Sequence, residues 1–167
     1  MSDIEKLLDV MRRLRDPEGG CPWDLEQDFS TIAPYTIEEA YEVADSIERE
    51  AWDELPDELG DLLFEIVFYA QMMSEEDGID IYDIIEGIHA KMVRRHPHVF
   101  GDKKVTSTAA VRENWHAIKK EEQKANHCEN ASLLDSIPAS LPALMRSDRV
   151  SERAARTGFD RMRAGRL

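Results

Sequence analysis

A chain of 167 residues, 42% of them hydrophobic and 34% charged, has the size and balance of one soluble helical domain with a real core. Its formal charge of −14 excludes general affinity for a nucleic-acid backbone, so an anionic ligand has to be received through a cation or a local basic patch. Cys21 and Cys128 give no disulfide framework, no apolar run approaches a membrane span, and residues 1–6 lack the basic and apolar regions of a signal peptide; a cytoplasmic protein with free thiols is expected, without membrane attachment.

In chain order, Ile4, Leu7, Leu8, Met11 and Leu14 predict an amphipathic helix capped by Asp3. It stops at Asp16-Pro17-Glu18-Gly19-Gly20. The next stretch, Cys21-Pro22-Trp23-Asp24, reads as a rigid loop in which Trp23 is either core cover or a base-stacking plate. After Phe29 and Ser30 to Pro34, Thr36 and Glu39 form a T-x-x-E capping box and start a second helix. Ile37, Ala40, Tyr41, Ala44 and Ile47 are its apolar stripe, and Glu38 and Glu42 point away from it. A break near Leu55 precedes Pro56, which fits the first position of a third helix, with Asp57 and Glu58 in its first turn.

That third helix, running to Met73, is apolar nearly all round, and so is expected to be buried. Yet Glu58, Asp61 and Glu65 make one stripe down it, flanked by Phe68 and Tyr69. Residues three or four apart share a helix face. Glu39 and Glu42 on one helix and Glu58 and Asp61 on an antiparallel neighbour can therefore converge. Converging carboxylates repel unless a cation lies between them, and oxygen-only ligation matches Mg²⁺, Mn²⁺ or Ca²⁺. Capping accounts for Glu39 and Glu58, but not for Asp61 and Glu65 inside an apolar helix. Spacing alone leaves open both a metal site and an ordinary solvated acidic face.

Ile81, Ile84, Ile85, Ile88 and Met92 predict a further helix after Asp80. Lys91, Arg94 and Arg95 near its end read as exposed charges that complement the helix dipole or cradle a phosphate. The break at His96 to Gly101 leads to a last helix over about Val111 to Gln123, with Trp115 and Ile118 inward. Glu86-x-x-His89 and Glu113-x-x-His116 match the E-x-x-H of di-iron bundles. Their facing opposes that chemistry: Glu86 falls about 140° from the isoleucine stripe, and Glu113 and His116 lie opposite Trp115. Leu144 to Arg156 is helix-like and basic, and everything after about residue 128 reads as a linker or tail. No strand alternation occurs, so an all-α fold is expected.

Five blocks carry a specific resemblance: R-L-R-D-P-E-G-G-C-P-W-D (13–24), I-A-P-Y-T-I-E-E-A-Y-E (32–42), E-L-G-D-L-L-F (58–64), R-R-H-P-H-V-F (94–100) and W-x-x-I-K-x-E-E (115–122). Over residues 1–127 the chain resembles the MazG family of nucleoside triphosphate pyrophosphohydrolases. Residues 133–146 and Gly158-Phe159-Asp160, within 128–167, resemble the start of a second tandem repeat. Leu25 and Asp28 depart from the pattern, which often has a basic residue after C-P-W-D and a threonine after E-Q. The resemblance implies an all-α, MazG-like helical bundle whose core is completed by assembly into a homo-oligomer, most simply a dimer. It implies Mg²⁺-dependent cleavage of a nucleoside triphosphate to the monophosphate and pyrophosphate, with Mn²⁺ as an alternative ion. Carried over by motif, Glu39, Glu42, Glu58 and Asp61 would hold the metal, and Glu38 would orient or deprotonate the water. Lys91, Arg94, Arg95 and Lys119 would neutralise the phosphates, and Trp23 would stack on the base. The competing reading is a non-catalytic nucleotide-binding or dimerisation half of a two-domain enzyme.

Overall fold

The computed structural model describes residues 2–126, 134–135 and 137–159, and every regular element among them is a helix. These are α1 (Asp3–Leu14), α2 (Pro22–Glu26), α3 (Phe29–Glu48), α4 (Leu55–Glu76), α5 (Ile81–Arg95), α6 (Pro97–Phe100), α7 (Thr108–Asn126) and α8 (Ala143–Arg156). They fall into two compact units, Met1–Arg94 and Arg95–Leu167.

In the first unit the caps decide where helices begin. Ser2, not Asp3, caps α1: its Oγ accepts from the Glu5 amide, and the Glu5 carboxylate takes the Ser2 N–H at 2.6 Å. Asp3 lies in the first turn instead, where its charge complements the dipole. The stretch expected as a rigid loop contains the short helix α2, with Pro22 at its first position. Helix α3 begins at Phe29, seven residues before the expected start at Thr36. Asp28 is the reason. Its carboxylate accepts from the amides of Ser30 at 2.7 Å and Thr31 at 2.9 Å, and Thr31 Oγ1 returns a bond to the Asp28 N–H. A complete box there outcompetes the T-x-x-E pattern, and the helix runs through Pro34. Freed from capping, Thr36 bonds laterally, 2.8 Å from the Tyr69 hydroxyl on α4.

The α3–α4 turn is tight. Glu50 takes the left-handed conformation (φ 58°) and the Ala51 amide donates to Ser46 O at 2.9 Å. Helices α3 and α4 then form the principal packed pair, and α1 lies on α4. Met11, Ile32, Val67, Phe68 and Met72 are the centre of the core, with Leu7, Leu8, Phe64 and Tyr69 around them. Arg15 ties the parts together. It donates to the carbonyls of Asp24 and Gln27, pairs with Glu75 at 2.6 Å, and lies over the Phe68 ring.

One expectation fails. Helix α4 is not buried all round: Leu59, Leu63 and Ile66 are 40–48% exposed, because α1 and α3 cover only part of its girth. Ile85 and Ile88 of α5 are likewise uncovered, and only Ile81 of that stripe is buried.

In the second unit α6 fills the predicted break after His96, and α7 starts at Thr108 and ends at Asn126, longer than expected at both ends. Helix α8 occupies the basic stretch read as linker or tail. The expected boundary at 127/128, Cys128 and Asp160 lie outside the described residues.

Candidate metal centre

The turn at Glu50 folds α4 back along α3, so positions pair in opposite order: Glu42 meets Glu58, Glu39 meets Asp61, and Thr36 meets Tyr69. Glu39, Glu58 and Asp61 each offer one oxygen, and these oxygens all lie within 4.8 Å of one another. Glu42 faces Glu58, whose pKa its charge raises, and extends the group to four carboxylates. Glu39 and Glu58 are part-buried, while Asp61 is exposed, contrary to its expected burial.

Crowding shows in the electrostatics. Burial, then the charges of Glu42, Asp61, Glu65 and Glu58, raise the Glu39 pKa above its ordinary 4.5. Glu58 is raised by burial, then by Glu42, Asp61 and Asp57. Burial also raises Glu65, against the opposing Thr36 hydroxyl, with Asp61 adding to the rise. No lysine or arginine is among these causes. The Glu39 Oε2 is buried without a hydrogen-bond partner. An all-oxygen set with an orphaned buried acceptor fits a hard divalent cation such as Mg²⁺ or Mn²⁺.

The other predicted site residues are placed as follows. Glu38 is exposed beside Glu39. Trp23, 49% exposed, meets Tyr35 edge to face at 5.9 Å, and Tyr35 stands one turn before Glu39 on α3. Lys91 and Arg94 are exposed on α5. In the second unit Lys119 is part-buried on α7, and Arg95 is not the exposed helix-end charge that was expected. Its guanidinium pairs with Glu122 at 2.6 Å, the two side chains being 13% and 16% exposed, and lies over the Trp115 ring at 5.1 Å. Glu86, His89, Glu113 and His116 are all exposed, as their facing requires. Two members of the network were missed as such: Thr36, read as a cap, and Tyr69, read as a rim. Their spacing from Glu39 and Glu65, three and four residues, was the available signal.

Two helices presenting four carboxylates at one level define the class: an all-α protein with a candidate divalent-metal centre. Residues 27–100 match the MazG nucleotide pyrophosphohydrolase domain. The chain is 56% identical over 162 residues to the nucleoside triphosphate pyrophosphohydrolase of Escherichia coli strain K12, covering 96% of this chain and 60% of that protein. Identity to the nucleoside triphosphate pyrophosphohydrolase/pyrophosphatase MazG of Thermotoga maritima is 38%, over 94% of this chain and 58% of the relative. A crystal structure of a MazG-related protein from Thermotoga maritima superposes with a TM-score of 0.58 at 28% identity, covering 70% of this chain and 98% of that one. The chain belongs to the MazG family. It spans about three fifths of the length of those two curated relatives.

Proposed function

We propose that this chain hydrolyses nucleoside triphosphates to the monophosphate and pyrophosphate at the α3–α4 carboxylate centre, with Mg²⁺. The observation that carries the reading is the convergence of the Glu39, Glu58 and Asp61 oxygens within 4.8 Å of one another, with the charge of Glu42 beside Glu58. The two relatives, both nucleoside triphosphate pyrophosphohydrolases, support the reaction class. Glu39, Glu42, Glu58 and Asp61 would hold the ion. When bound, it supplies positive charge to the phosphate oxygens and polarises water.

The remaining roles belong to side chains. Glu38, exposed at the edge of the centre, orients the attacking water and accepts its proton. Lys91 and Arg94 neutralise the phosphate tail. Trp23 stacks on the base.

The assembly is a homodimer. Ile37, Tyr41, Leu59, Leu63 and Ile66 lie at helical spacing on α3 and α4 and are exposed in the single chain, an apolar face larger than scattered surface residues make. Among the described residues no helix is long and apolar enough to cross a membrane, and we place the protein in the cytoplasm. The non-catalytic reading draws on Asp28, which stands where relatives often differ and is engaged as the α3 cap. Pyrophosphate release from a panel of triphosphates, with and without Mg²⁺, separates the two. Mg²⁺-dependent release supports hydrolysis; nucleotide binding without release leaves only the binding module.

A further inference from the structure

Glu65 stands one turn past Asp61 on the carboxylate stripe of α4, outside the four residues assigned to the ion. It is part-buried, and the neighbours that perturb it are Thr36 and Asp61, neither of them a cation. Its Oε2 is buried and has no hydrogen-bond partner. A buried carboxylate oxygen without partner or counter-charge is costly, and natural cores leave few of them.

The surroundings of the residue are held. Thr36 lies beside Glu65, and its hydroxyl opposes the rise in that carboxyl's pKa. Thr36 Oγ1 is 2.8 Å from the Tyr69 hydroxyl and 3.4 Å from the Ile32 carbonyl. The Tyr69 ring is itself fixed, stacked on Phe29 with 3° between planes and packed against the core. Tyr69 and Thr36 thus back the carboxylate and leave its second oxygen unused.

Glu65 shares a face with Asp61 and is coupled by charge to Glu39, yet it is not one of the residues whose oxygens lie within 4.8 Å of one another. Four residues on, it stands about 6 Å along the axis from Asp61, one turn beyond the group. Mg²⁺ characteristically keeps several waters, and a water can bridge that step. Resting on the metal-centre reading above, we propose that Glu65 is a positioning residue. Its Oε2 accepts a hydrogen bond from a water of the cation held by Glu39, Glu42, Glu58 and Asp61, while Thr36 and Tyr69 orient it from behind. Partners of this kind typically contribute 10–100-fold in metal affinity or activity.

The test is Mn²⁺ affinity of the full chain, measured by electron paramagnetic resonance, for wild type, Glu65→Gln, Tyr69→Phe and the charge-matched control Glu76→Gln, exposed at the far end of α4. Glutamine keeps the shape and replaces the charged acceptor offered to the water. Glu65→Gln is expected to weaken Mn²⁺ by about 10–100-fold, Tyr69→Phe to weaken it less, and Glu76→Gln to leave it unchanged. A Glu65→Gln protein that binds Mn²⁺ like wild type overturns the proposal, as does an equal loss in Glu76→Gln. Should Glu65→Gln not fold, Tyr69→Phe decides: unchanged Mn²⁺ affinity overturns the proposal. Wild type that fails to bind Mn²⁺ removes the metal centre itself, and this role of Glu65 with it.

Discussion

Glu42 and Glu58 face each other across the α3–α4 pair, and the charge of Glu42 is the largest influence after burial that raises the Glu58 pKa. Glu39, Glu58 and Glu65 all have pKa values raised above the ordinary 4.5. Between that value and the raised ones the folded chain binds more protons than the unfolded one, so stability falls as pH rises through the window. Glu75 acts oppositely. Burial would raise it, but the hydrogen bonds from Arg15 and Gln71 and the Arg15 charge lower it, so its contribution is lost as pH falls below 4.5. Melting curves in chelator should show stability declining on the alkaline side of about pH 4.5, and Mg²⁺ should abolish the decline. A chelated protein whose stability rises across that window contradicts the crowding described above.

Arg95 carries a prediction about the second unit. As a paired, largely buried guanidinium resting on Trp115, it holds a carboxylate that has little access to water. Arg95→Ala should destabilise by about 1.5–3 kcal/mol, the loss of a charged hydrogen bond with little access to water. Lys91→Ala, at an exposed position, should leave Tm nearly unchanged and raise KM for the triphosphate. Urea melts and steady-state kinetics check both; an Arg95→Ala protein of wild-type stability refutes the structural role of the pair.

Dimerisation makes a third prediction. Leu63, 41% exposed on the open face of α4, becomes a buried contact in a dimer through this face. Leu63→Lys should convert the dimer to a monomer in light scattering, while circular dichroism stays helical. A variant that remains dimeric moves the interface elsewhere on the chain.

How much was legible follows from particular residues. The helical hairpin was, because the three- and four-residue spacing of Glu39, Glu42, Glu58 and Asp61 and the apolar stripes behind them are local patterns. The start of α3 was not: two box patterns compete there, and the one at Asp28 closes with three bonds. Thr36 then bonds to a residue 33 positions away, a pairing only the packed hairpin creates. The burial of Arg95 was hidden for the same reason, since Glu122 stands 27 residues further on. The exposure of Asp61 reflects how far one chain covers α4, and hydrophobic periodicity does not report that.

The central claim is that the four carboxylates on α3 and α4 hold a divalent cation, and one variant tests it most directly. Asp61→Asn removes a charge at nearly constant shape from a crowded acidic group. In chelator the variant should melt at or above the wild-type Tm, because a repulsion is relieved. With Mg²⁺ the wild type should gain stability by mass action, about 2.7 kcal/mol at a hundredfold excess over Kd, and the variant should gain little. An Asp61→Asn protein that melts far below wild type in chelator, yet keeps the full Mg²⁺ response, contradicts the account.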